Sequence, residues 1–239
     1  MTTCIEVGGD PQRPRCVLRA GLLGPRRLPA RDGAVRVALV ASTAMLLAGD
    51  RVRVDVRVAA GHRLEIVETA GTVAYAMHGR SADWEVSVRL GPDATLVWAG
   101  QPMVVADGAD VRRTTVVDLD EGSVAVLREP LVLGRTGQRG GRLLTRTRAC
   151  HVGRPLLVES LRLDPGTRED PAILGGARCV DTLSVLGARL PQLPGVLQLD
   201  GPGSLARSLV DQLHRSPLDP LLETARRTVG TDAPALTHG

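Results

Sequence analysis

"RVRVDVRV", residues 51–58, alternates apolar and charged side chains without a break. Successive side chains of an extended chain point to opposite faces, so Val52, Val54, Val56 and Val58 share one side and Arg51, Arg53, Asp55 and Arg57 the other. This is a half-buried strand. Outward from it, "AAGH" (59–62) turns the chain into "RLEIVET" (63–69), and apolar runs recur at "WEVSVRL" (84–90), "TLVWA" (95–99), "VRRTTVVDL" (111–119), "SVAVLREPLVL" (123–133), "GRLLTRTRACHV" (141–152) and "PLLVESLRL" (155–163). The breaks "GPD", "DEG", "GRP" and "DPG" are turn signals. Short strands joined by tight turns predict an antiparallel meander.

The flanks read differently. "RDGAVRVALVASTAMLLA" (31–48) fits a helix or a pair of buried strands, and the valines of "VRVALV" favour strands. In "SLARSLVDQLHR" (204–215) Leu205, Leu209 and Leu213 form one stripe, Ser204 can cap the start and Pro217 marks the stop. "PLDPLLETARRTV" (217–229) repeats the idea with Leu218, Leu221, Leu222 and Ala225. The expectation is a mainly β, single-domain chain over 1–239, with its core at about 31–200 and two short C-terminal helices within about 203–229. No internal repeat is visible.

At 239 residues and 43% hydrophobic content the chain can bury a sizeable core. With no Phe, one Tyr and two Trp, that core must be Val, Leu, Ala and Ile. Lysine is absent, and the 30 arginines are interspersed among 26 acidic residues, so the net charge of +4 describes a mixed solvated surface. Cys4, Cys16, Cys150 and Cys179 are scattered, with no metal-ligand spacing, and read as reduced thiols. "MTTCIEVGGDPQRPR" lacks a signal-peptide core and no run approaches membrane-spanning length. The expected compartment is the cytoplasm.

Chemistry is constrained mainly by exclusion. A P-loop and a Schiff-base site each need a lysine. "GPGSLA" (201–206) formally matches a dinucleotide motif, but the segment after it is not a parallel strand, so Gly201 and Gly203 read as a turn. There is no nucleophile elbow, and Cys150 and His151, as strand neighbours, face opposite ways. Arg128, Arg135, Arg139, Arg142, Arg146 and Arg148 come without aromatic stacking platforms, which argues against nucleic acid. Asp50, Glu68, Asp107, Asp118, Asp120 and Glu129 lie at or beside strand ends, where carboxylates can converge and suit a loosely held divalent cation. Singly, most are ordinary solvated turn carboxylates. A β-rich binding module and a hydrolase with a site assembled through space remain alternatives.

The linear order is more specific than any one site. "LLAGDRVRVDVRV", "GHRLEIVETAGTVAY", "AGQPMVVADGADVRRTT", "EPLVLGRTG" and "RPLLVESLRLD" follow one another over roughly residues 41–186. In that succession the chain resembles the urease accessory protein UreD family, called UreH in some bacteria. The pieces that carry the resemblance are Gly49-Asp50, Glu68-Thr69 with Tyr75, Pro102, and Glu129 followed by Gly134-Arg135. Gln101 and Gln138 stand where the family usually carries acidic residues. The resemblance implies strands in stacked, β-helix-like layers and a non-catalytic scaffold with no tightly bound cofactor. It further implies binding to a UreF-like protein, through it to a UreG-like GTPase, and to the urease apoprotein, with nickel a transient passenger and neither nucleic acid nor membrane involved. On this reading Asp50, Glu68 and Glu129 form a polar path for the ion. Arg135 is then a buried, paired arginine, and Arg135→Leu should misfold the chain.

Overall fold

The computed structural model describes residues 1–231. Two hairpins open the chain, β1 (Thr3–Asp10) with β2 (Arg13–Arg19) and β3 (Leu23–Arg31) with β4 (Ala34–Ala41). The segment that fits helix or strand equally from its sequence is thus strand from Ala34 to Ala41. From β5 (Arg51–Val58) the chain winds. A four-residue turn carries it from one sheet across to the other, where β6 (Arg63–Glu68) and the short β7 (Thr72–Ala74) lie, and a loop returns it to the first sheet. The next coil is β8 (Ala82–Leu90), β9 (Thr95–Ala99) and β10 (Met103–Val105), and a third is β11 (Asp110–Leu119) and β12 (Val124–Leu133). β13 (Arg142–His151) then turns back into β14 (Arg154–Leu163).

The result is two stacked sheets wound as a solenoid, and it corrects the antiparallel meander. β1, β5, β8, β11 and β13 run parallel in one sheet, and β4, β6, β9 and β12 run parallel in the other. Tight turns at "AAGH", "GPDA" and "DEGS" do not reverse the strand within its sheet; they hand it across to the second sheet. Each strand therefore meets its neighbour only after a full coil, in the same direction. Antiparallel pairs survive at the ends. A repeat does exist, since the strands of the first sheet begin at Arg51, Ala82, Asp110 and Arg142, roughly every 30 residues. The two flanks differ. One is the set of four-residue turns, stacked by bonds such as Gly61 N to Pro92 O (2.9 Å) and Asp93 N to Glu121 O (2.9 Å). The other carries β7, β10 and loops of unequal length.

Register aligns the inward residues into columns. Val52 neighbours Trp84, Val54 neighbours Val86 and Val56 neighbours Val88. Leu64 and Ile66 of the opposite sheet neighbour Leu96 and Trp98. Val52, Val54, Val56 and Val58 are at most 2% exposed, and burying each such side chain contributes about 1.5–3 kcal/mol. This aliphatic filling is the core, as the composition requires.

At the C-terminal end β15 (Cys179–Leu186), β16 (Val196–Gln198) and β17 (Gly203–Val210) extend the second sheet antiparallel. The first of the two expected helices is therefore a strand, with only a single 3-10 turn at Leu213–Arg215. Ser204 is no cap: its buried hydroxyl accepts Leu190 N (2.9 Å) and donates to Gln198 Oε1 (2.8 Å). The second helix exists as α1 (Asp219–Thr231), one turn after Pro217. Leu218 just before it and its Leu222, Ala225 and Val229 recur at helical spacing and pack on Val126, Leu183, Val185 and Ala206 on the outer face of the second sheet.

Ion pairs hold this helix down. Arg128 of β12 donates through Nε (3.1 Å) and Nη2 (2.7 Å) to Asp181 of β15, which is fully buried and also accepts Ser216 Oγ (2.6 Å). Arg128 Nη1 reaches Asp219 at the helix start. Nearer the helix end Glu65 bonds Arg36 (2.6 Å) and Arg226 (2.7 Å). Burial alone would raise the Glu65 carboxyl, but the guanidiniums of Arg226 and Arg36 outweigh it and hold it below its ordinary value.

Candidate functional site

Toward the last coils the space between the sheets changes character. The inward column Val52–Trp84 continues as Arg113 and Thr145, and Val54–Val86 continues as Thr115 and Thr147. Across from them stand Glu68 on β6 and Glu129 on β12, with Gly100 over Glu68 leaving the gap open. Glu159 of β14 and Arg207 of β17 complete the set. An apolar interior has become a charged seam.

Its geometry is a chain of ion pairs. Arg113 Nη2 donates to Glu129 Oε1 (2.6 Å), which also accepts Thr115 Oγ1 (3.2 Å). The same guanidinium sits 5.9 Å from the ring centroid of Trp84, a cation–π contact. Its Nε and the Trp84 Nε1, both buried, find no partner among the described residues. Arg207 grips Glu159 through both Nη atoms (2.8 and 2.7 Å) and turns Nε to Thr182 Oγ1 (3.1 Å). A void of about 30 Å³ lies between the two pairs, and another of about 20 Å³ continues past Arg113 to Glu68.

Glu68 closes the far end. It accepts Trp98 Nε1 (2.9 Å) and Gln101 N (2.8 Å). Burial raises its carboxyl above the ordinary value; the Gln101 amide, Arg113 and the Trp98 indole oppose the shift, and Glu129 adds to it. A carboxyl destabilised in its charged form is one that gains from a second cation nearby.

The structure brings Glu68 and Glu129 together along this seam but places Asp50 elsewhere. Asp50 sits in the loop before β5, where its Oδ2 accepts Leu47 N (2.7 Å); Gly49 beside it bonds Ser81 O (2.9 Å) and packs under Arg80. No group of three His, Cys, Asp or Glu side chains converges to hold a metal among the described residues, and Glu129 is neutralised by Arg113. Thr69 bonds the Leu39 carbonyl by its hydroxyl (3.2 Å), Tyr75 is 40% exposed and bonds Leu46 O through its amide (3.0 Å), and the Pro102 carbonyl accepts Thr72 N (2.9 Å).

Arg135 is a correction. It is exposed and makes no ion pair among the described residues, because the tight loop that begins at Gly134 turns its side chain to solvent. Arg113, Arg128 and Arg207 are instead among the arginines that are largely shielded from solvent and paired, as are Arg36 and Arg226. The loop is held by its backbone and by Gln138: Gly134 N bonds Val105 O (2.8 Å), Gln138 Oε1 accepts Arg135 N (3.0 Å) and Asp107 N (3.3 Å), and Asp107 Oδ1 accepts Gly140 N (2.7 Å). Two backbone N–H groups on one carboxamide oxygen explain why a neutral residue serves at Gln138.

The seam residues that the sequence reading missed are Arg113, Glu159 and Arg207. A signal was present in parity, since Arg113 and Thr115 share the face of Val111 and Val117. Among the described residues no helix is long and apolar enough to cross a membrane.

Comparison with known proteins adds an independent line. The family model described as UreD urease accessory protein matches residues 22–219. The chain is 46% identical over 190 residues to urease accessory protein UreD 1 of Streptomyces griseus subsp. griseus, spanning 78% of this chain and 74% of that one. It is 33% identical over 182 residues to UreD 2 of Saccharopolyspora erythraea, spanning 74% of this chain and 63% of the relative. With UreD of Streptomyces coelicolor it shares 32% over 209 residues, 82% of each chain.

Proposed function

This chain belongs to the UreD urease accessory protein family, and on that premise we propose that it is a non-catalytic scaffold that helps to deliver nickel to the urease apoprotein. It would act in the cytoplasm, in a complex with a UreF-like protein and, through it, a UreG-like GTPase. The observation that supports this reading is the charged seam. A solenoid that fills its other coils with Val and Leu has no packing reason to place Glu68, Arg113, Glu129, Glu159 and Arg207 between its sheets. Burying such groups costs several kcal/mol per ion unless the geometry compensates.

Nickel here is cargo. Oxygen donors bind a borderline divalent ion weakly enough for exchange, and a dication has twice the charge of the guanidinium it must displace from Glu129. Arg113 would swing aside as the ion arrives and return when it leaves, so that Glu129 always keeps a cation beside it. Asp50, tied to its own loop, is not carried into the path.

The test is urease activation from apoprotein, nickel and the three accessory proteins, with Glu129→Gln and Glu68→Gln in this chain. Activation should fall while co-purification with the UreF-like protein and apoprotein persists. Unchanged activation by both variants would sink the seam as a route, and failure to associate with any urease component would sink the scaffold reading itself.

A further inference from the structure

The last strand of the first sheet, β14, pairs with β13 on one side and, among the described residues, with no strand on the other. It is ten residues long, and beyond its first three residues a row of alternate N–H and C=O groups faces outward. Edges of this length are usually blunted by charge, proline or a covering loop, because they template pairing with another chain. β14 carries Pro155 at its start and a bulge at Leu156, the extra residue between the pairs Ala149–Leu157 and Cys150–Pro155. Along the rest, from Leu157 to Leu163, the pairing with β13 is regular and the edge is unblunted.

The outer surface of β13 and β14 beside this edge is basic. Register puts Arg146 next to Ser160, Arg148 next to Val158 and Arg162 next to Leu144, all facing out. Arg146, Arg148, Arg154 and Arg162 are exposed, and among the described residues none makes an ion pair or a side-chain hydrogen bond. The neighbouring outward residues of β11 are Thr114 and Val116; Asp110 at one end is taken by Arg142 (2.6 Å), and Asp118 lies at the other. On the neighbouring strands Arg53 is matched with Glu85 and Arg112 with Asp83, while Arg89 of β8 and the arginines of β2, at the far edge, make no ion pair among the described residues. The one carboxylate on β14, Glu159, points inward to Arg207. In the middle of the strip Val158 is 73% exposed.

We propose that β14 is a docking edge for an acidic, extended segment of a partner protein, which adds as a further strand to the first sheet. The backbone row supplies the pairing, the unmatched guanidiniums select carboxylates at alternate positions, and Val158 offers an apolar contact between them. Acid on the partner is what the surface lacks, and lysine or arginine there would meet like charge. The inference is independent of the nickel reading.

The test uses the purified chain and a fluorescein-labelled peptide of alternating Glu and Val long enough to span β14, with a Lys-Val peptide as counterpart. Anisotropy should report binding of the Glu peptide that weakens as salt is raised, with amide-exchange protection confined to residues 154–163. Arg146→Glu/Arg148→Glu should weaken it about tenfold or more, and Arg162→Glu alone should weaken it in the same direction. Because these side chains are exposed, both variants should keep the thermal stability of the parent. Equal binding of the Lys peptide, unchanged binding by both variants, or protection elsewhere would overturn the proposal.

Discussion

Asp181→Ala should loosen α1 and destabilise the whole chain. Asp181 is fully buried and receives three donors, two from Arg128 and one from Ser216. Truncating it strands the Arg128 guanidinium, only 14% exposed, with a single remaining partner, Asp219. Asp219 is itself 77% exposed, so that pair is screened and contributes about 1 kcal/mol at most. Breaking a buried pair by removing one member costs about 3–5 kcal/mol, which for a chain of this length is a fall in Tm of the order of 10 °C. Urea unfolding followed by circular dichroism gives the number, and amide exchange along α1 locates it. Asp219→Ala is the control and should cost about 1 kcal/mol or less. The double change Arg128→Met/Asp181→Leu should recover much of the loss, because no buried charge is then left alone. A cost for Asp181→Ala within about 1 kcal/mol of wild type, or one equal to that of Asp219→Ala, would refute the assignment of this network as the anchor of the helix.

The remaining predictions concern Glu68 and the 134–141 loop. Because the Glu68 carboxyl is raised above its ordinary 4.5 in the folded protein, the fold holds that proton more tightly than the unfolded chain does. Its contribution to stability is therefore largest below pH 4.5 and is lost as pH rises through the folded value. Glu68→Gln should flatten this component of the pH profile, and Trp98 emission, reporting the indole bonded to Glu68, should titrate in wild type only; parallel stability profiles would contradict it. Gly134→Ala should cost about 1 kcal/mol or more, since φ is +77° and the added Cβ would lie 2.6 Å from Gln138 O. Arg135→Leu, by contrast, should stay soluble and within about 0.5 kcal/mol of wild type in urea unfolding.

How much of this was legible in the sequence depends on which physical signal each part writes. The valines of β5 declare their strand because burial alternates with exposure, and "GPD" and "DEG" declare their turns because the chain must bend there. A turn residue does not say whether the next strand lies beside the last or opposite it. Local signals therefore gave a meander, and the stacked, β-helix-like layers were legible only through the family resemblance; the repeat was masked by unequal loops on one flank. β17 was lost for a related reason. Its inward residues are Gly203, Leu205, Arg207 and Leu209, and the arginine that belongs to the seam interrupts the apolar alternation, leaving Leu205, Leu209 and Leu213 to mimic a helix. The residues of greatest chemical interest thus erased the local signal of the strand that bears them. Glu68 and Glu129 were found through the succession of motifs, whereas Glu159 and Arg207 meet only because β14, the edge of one sheet, faces β17, the last long strand of the other.

The unequal flanks also determine where foreign sequence can be accommodated. On the side of the four-residue turns each coil is tied to the next, and Gly122 already touches Asp93, so an extra residue there shifts a ladder shared by every coil. On the other side Gly79 and Gly137 face open space at the tips of their loops. An epitope, a fluorophore site or a cleavage sequence grafted at either tip reaches solvent without displacing a strand, which makes that flank the natural handle for engineering the protein.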